Sequence, residues 1–67
     1  MPAGPLLIKA VESVLNDKPK STTEIRNSLA GYYSLRAIRY ALKALTLDNK
    51  AKVKRKRGYY VSTEAVN

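Results

Sequence analysis

Of the side chains that do chemistry in proteins, this sequence keeps the cations and omits most of the others. Thirteen Lys and Arg stand against five Asp and Glu, for a formal charge of +8, and there is no His, Cys or Trp. Without imidazole or thiolate, a nucleophile would have to be a Ser or Thr activated by Lys. The carboxylates Glu12, Asp17, Glu24, Asp48 and Glu64 form no close sequence pair suited to acid and base work. No glycine-rich phosphate loop appears, and the thiolate and imidazole ligands of a structural metal are missing. The residue types therefore point away from an enzyme, a metal or a cofactor. They point towards recognition of a polyanion by positive charge.

The distribution of that charge is more informative than its size. Residues 1–31 carry four basic and three acidic side chains, whereas residues 32–67 carry nine and two. Charge that only solubilises has no reason to gather in one half of a chain, and a binding surface does. Two clusters hold most of it. In the first, a helical period of about 100° per residue puts Leu35, Ile38, Ala41, Leu42 and Leu45 on one side and Arg36, Arg39, Tyr40 and Lys43 within a single arc on another. One face packs and the other presents cations, at a spacing that lets Arg make bidentate bonds to guanine O6 and N7 in a major groove. A basic but merely solvated face is the plainer alternative. In the second cluster, six of the eight residues from Lys50 to Arg57 are basic. Ala51 and Val53 within it and Tyr59 to Val61 after it favour an ordered ribbon over a localisation signal or a loose tail.

The elements that must position these clusters follow from punctuation and periodicity. After a short tail at 1–4, Pro5 suits a first helical position, and Leu7, Ile8, Val11, Val14 and Leu15 recur at helical spacing to near Asn16. Asn16 to Pro19 is turn chemistry. Ser21-Thr22-Thr23-Glu24 fits a capping box opening a second, short helix with Ile25 and Leu29 on one face, stopped by Gly31 as a left-handed cap after Ala30. Ser34 is a good N-cap for a third helix running towards Asp48, and Asn49 stands where a left-handed residue is wanted. Ala51 and Val53 alternate with Lys52 and Lys54, and a tip closed by Gly58 leads into Tyr59-Tyr60-Val61-Ser62. A two-residue loop would put Tyr60 on the face of Val53, and a three-residue loop would put Tyr59 and Val61 there; the apolar character of Val61 favours the second. Thr63 to Asn67 reads as a frayed end. Tyr40 is the one aromatic candidate for touching nucleic acid, and Tyr32, Tyr33, Tyr59 and Tyr60 read as structural. Leu47 falls on the cationic arc, where an apolar side chain serves no DNA contact; it would close over the hairpin or mark a dimer contact. Sixty-seven residues suffice for one domain with an ordered core of about 5–62. No secretory or spanning segment is visible, so a cytoplasmic, DNA-associated protein is expected.

A helix, a short capped helix, a tight turn, a longer helix with a basic outer face and then a basic-tipped hairpin is an order of parts that resembles the winged helix-turn-helix family. Ile38-x-x-x-Leu42-x-x-Leu45-x-x-x-Asn49-x-Ala51-x-Val53, followed by Gly58-Tyr59-Tyr60-Val61, is similar to that family's recognition helix running into its wing. The resemblance covers Pro5 to Ser62, although Asn49 and Lys50 stand where the family more often shows Gly and an apolar residue. It implies an α+β fold, a three-helix winged helix-turn-helix with a C-terminal β-hairpin wing. It also implies three contact regions. Ser34, Arg36, Arg39, Tyr40 and Lys43 would enter the major groove. Lys20, Ser21, Thr22 and Thr23 at the start of the second helix would meet a phosphate, which a helix amino terminus favours. Lys52, Lys54, Arg55, Lys56 and Arg57 of the wing would follow a neighbouring backbone or dip into the minor groove. The expected activity is sequence-preferring binding of double-stranded DNA, as in a transcriptional regulator, with no cofactor, metal, small-molecule ligand or membrane partner. Three alternatives stay open: architectural binding similar to the winged-helix domain of linker histones, an RNA-binding module, and a protein-binding module. A weak homodimer through the first helix or Leu47 stays open as well.

Overall fold

The computed structural model describes residues 4–54 and 58–63. Three helices, α1 (Pro5–Val14), α2 (Thr22–Ser28) and α3 (Leu35–Leu47), combine with three strands, β1 (Lys20–Ser21), β2 (Ala51–Val53) and β3 (Tyr59–Ser62). The strands form one antiparallel sheet in the order β1-β3-β2. The described part is therefore a small α+β fold. Met1 to Ala3, the hairpin tip Arg55 to Arg57 and the end Glu64 to Asn67 lie outside the described residues.

The helices form where apolar spacing and caps agree. Pro5 opens α1, which buries Leu7 and Val11 and ends at Val14, two residues before the expected end at Asn16, with Leu15 in extended backbone. The reason is visible in Asn16. Its Oδ1 accepts from the Lys18 N–H at 2.9 Å, an Asx turn that replaces helical bonding, and its carbonyl accepts from Ser62 N–H at 3.0 Å. The capping box on α2 is complete: Ser21 Oγ accepts from Glu24 N–H, and Glu24 Oε1 accepts from Ser21 N–H. Loss of such a cap costs about 1 kcal/mol.

α3 buries Ile38, Ala41, Leu42 and Leu45. These meet Leu7, Val11 and Leu15 of the first helical segment, Ile25 of α2 and Ala51 of β2 in one core, with Tyr33 and Tyr60 packed at its edge. α3 is thus the element on which α1, α2 and β2 all rest.

Both α2 and α3 end in Schellman geometry. At the end of α3, Lys50 N–H donates to Leu45 O at 2.9 Å and Asn49 N–H to Thr46 O at 3.1 Å, with Asn49 at φ 61°. At the end of α2, Gly31 N–H donates to Arg26 O at 2.9 Å and Ala30 N–H to Asn27 O at 3.0 Å, which makes Ala30 (φ 59°) the left-handed cap residue. Gly31 follows it at φ 67°. The expectation that Gly31 is the cap after Ala30 is corrected by one position, because the turn into α3 needs two successive left-handed residues and the cap falls on the first.

The hairpin register also differs from the expected one. Val53 lies opposite Tyr60, and Ala51 opposite Ser62. Lys54 N–H donates to Tyr59 O at 2.7 Å, so the loop has an even number of residues rather than three. Tyr60, with the larger apolar surface, turns towards the core while Val61, on the opposite face of the strand, is buried too. Thr63 is not frayed: its N–H donates to Lys50 O and its Oγ1 to Asn49 O at 2.7 Å, tying the end of β3 to the end of α3.

Candidate nucleic-acid interface

The packed face of α3 fixes the direction of its opposite face. With Ile38, Leu42 and Leu45 held in the core, Arg36, Arg39, Tyr40 and Lys43 have to point outwards, and all four are exposed. Together with Ala44 and Leu47 they line one open trough of about 550 Å³. Ser34, whose Oγ caps α3 by accepting from Ala37 N–H at 3.2 Å, borders an adjoining hollow of about 480 Å³ shared with Arg36, Ala37 and Tyr40. The arc expected from the sequence is therefore a continuous surface.

Its electrostatics are one-sided. Among the described residues the trough has three cations and no carboxylate in its walls. None of Arg36, Arg39 and Lys43 makes an ion pair or hydrogen bond with its side chain among the described residues. Side chains so placed are free to pair with an anion, and an Arg fork makes bidentate bonds to phosphate or to guanine.

The start of α2 is less free. Lys20 belongs to β1, opposite Tyr60, a strand too short for its pattern to show in the sequence. Its Nζ donates to Asn16 Oδ1 at 2.7 Å. Ser21 is engaged in the capping box, and the Glu24 carboxylate already occupies the amino terminus of the helix. Thr22 is half-buried and Thr23 exposed. A phosphate arriving here would meet Thr22 and Thr23 beside a resident negative charge.

On the hairpin, Lys52 is exposed and Lys54 half-buried. Arg55, Lys56 and Arg57 lie outside the described residues. Lys50, from the same basic run, turns elsewhere: with Pro5, Ile8, Lys9, Glu12 and Asp48 it borders a separate hollow of about 280 Å³ between α1 and the end of α3.

Two further side chains differ from expectation. Tyr32 is 81% exposed in the turn between α2 and α3, more so than Tyr40 at 52%, and its ring stands edge-on to Tyr33 at 4.9 Å and 87°. It is thus a second aromatic group free to meet a ligand. Its pairing with Tyr33 suggested packing, but only Tyr33 reaches the core. Leu47 is 74% exposed and does not close over the hairpin. It belongs to the trough, as does Ala44, which the cationic arc had passed over because it is small and uncharged.

No helix among the described residues is long and apolar enough to cross a membrane. Among the same residues no three His, Cys, Asp or Glu side chains gather as metal ligands would. No family model, curated protein or solved structure matches the chain.

Proposed function

We propose that the chain is a winged-helix module that binds double-stranded DNA with a sequence preference, as a transcriptional regulator does. The observation that carries this reading is the α3 trough, where Arg36, Arg39 and Lys43 stand unpaired around Tyr40 on the face opposite the core. A helix with that face fits a major groove, and its arginines suit guanine edges. The hairpin, through Lys52, Lys54 and the tip residues Arg55, Lys56 and Arg57, would act as the wing and neutralise phosphates without reading bases. Of the three contact regions, the start of α2 contributes least, since Lys20 and Ser21 already have partners and Glu24 repels a phosphate.

The reading is tested by selecting binding sites from random duplexes and titrating the winners by fluorescence anisotropy across a range of salt. If about six phosphates are neutralised, log K falls against log salt with a slope of about −5. An enriched sequence motif together with that slope is the expected outcome. Enrichment of nothing would replace the reading by architectural binding, and tighter binding to hairpin RNA than to any duplex would replace it by an RNA-binding module.

A further inference from the structure

Leu47, like Arg36, occupies a position of α3 that faces almost directly away from the packed face. On a wheel of about 100° per residue it lies about 180° from the centre of the face formed by Ile38, Ala41, Leu42 and Leu45. A large apolar side chain at that point gains nothing from the fold, and 74% of it is open to water. Ala44, half-buried, and the ring of Tyr40 continue the apolar strip in the trough, and Arg36, Arg39 and Lys43 run along one side of it. A solvated basic face would need no such strip. A partner that presents an apolar group beside an anionic or hydrogen-bond-accepting edge would.

We propose that Leu47, with Ala44 beside it, contacts the 5-methyl group of thymine in the major groove, so that the preferred duplex carries a thymine displaced from the bases read by the arginines. The inference rests on the DNA-binding reading above. Its chemistry follows from the edge pattern of the base pairs: thymine alone of the four bases offers an apolar group in that groove, and small apolar side chains discriminate by touching it. The three cations, unpaired among the described residues, select the anionic duplex, and the strip beside them selects the methyl.

The spacing fixes where the methyl should be. At about 1.5 Å per residue, Leu47 lies about 12 Å along the axis from Arg39 and about 16 Å from Arg36. For a helix lying along the groove, with base pairs about 3.4 Å apart, the thymine is about three to four base pairs from the base met by Arg39. A helix entering the groove end-on through Ser34 would instead leave Leu47 clear of the bases.

The test replaces each thymine of the selected duplex in turn by deoxyuridine, which removes only the methyl, and measures affinity for the wild-type chain and for Leu47→Ala. At 74% exposure Leu47→Ala leaves the fold intact, which circular dichroism checks. At one thymine, at the stated distance, the wild type is expected to lose about three- to five-fold on methyl removal, the value of one buried methyl. Leu47→Ala is expected to bind the thymine and deoxyuridine duplexes equally. Duplex binding that tolerates every thymine replacement, or a methyl effect that Leu47→Ala retains, overturns the inference while leaving the DNA-binding reading in place. Absence of binding to any duplex overturns both.

Discussion

Of the hollows that border α3 among the described residues, two differ in their electrostatics: one is cationic and the other balanced. The outer trough of about 550 Å³ is walled by Arg36, Arg39 and Lys43, without an acid among the described residues. The hollow of about 280 Å³ between α1 and the end of α3 sets Lys9 and Lys50 against Glu12 and Asp48. Both are concave and both carry lysines. The first has an excess of charge for a ligand, whereas in the second two cations and two carboxylates share one hollow and their signs balance. Net charge alone therefore does not locate a binding surface; what locates it is where cations collect without carboxylates.

The sharpest way to break this comparison is to remove two cations from each hollow. Arg36→Ala combined with Arg39→Ala should lower affinity for the selected duplex about 100-fold, since each arginine in bidentate contact is worth about 1–3 kcal/mol and neighbours on one helix need not add fully. Lys9→Ala combined with Lys50→Ala should change it by no more than about two-fold, the loss of two distant, locally balanced charges. All four side chains are exposed, so thermal stability should move little in either variant. Equal losses in the two variants, measured by anisotropy at one salt concentration, would mean that only total charge matters.

A smaller effect separates anchoring from reading. Lys52 of β2 is exposed and belongs to the proposed wing. Lys52→Gln should weaken all duplexes about equally and reduce the salt slope by about 1, as expected when one phosphate contact is removed. Lys9→Gln should leave the slope unchanged. If Lys52→Gln instead altered the preferred sequence, the hairpin would be reading bases and the division of labour between α3 and the hairpin would be wrong.

How much of this surface could be read from residues alone depended on the range of the forces involved. The capping box at Ser21 and Glu24, the cap at Ser34 and the left-handed Asn49 are local hydrogen-bonding devices, and each appears where its residues stand. The outward arc of Arg36, Arg39, Tyr40 and Lys43 was equally legible, because helical periodicity carries it. What was not legible depended on distant parts of the chain. β1 is two residues long and exists only because Tyr59 and Tyr60 pair with it. The hairpin register sets Val53 opposite Tyr60 and covers both faces of β3, half-burying Tyr60 on one and burying Val61 on the other, which no local pattern decides. Tyr32 and Tyr33 are the same residue type side by side, and only the path of the turn sets one in water and the other against the core. Ala30 in a left-handed conformation runs against side-chain preference and is held by the Schellman bonds around it. Lys50, adjacent in sequence to the hairpin, was separated from it by the direction in which the chain leaves α3.

The smallest effect is the one that would convert the second hollow into the first. Glu12→Gln with Asp48→Asn removes both carboxylates beside Lys9 and Lys50 and leaves the cations in place. Asp48 is also the C-cap of α3, at the negative end of that helix, so its neutralisation should not cost stability and should contribute about 0.3–1 kcal/mol. With the hollow now cationic, affinity for random duplexes at low salt should rise about two- to three-fold and return to the wild-type value as salt screens the added charge. Affinity for the selected duplex should rise by the same factor, because the new charge attracts the backbone and touches no base. The ratio of selected to random affinity is therefore the quantity to measure. If that ratio fell, the surface beside α1 would already be meeting DNA in the specific complex, and the contrast between the two hollows would be one of degree.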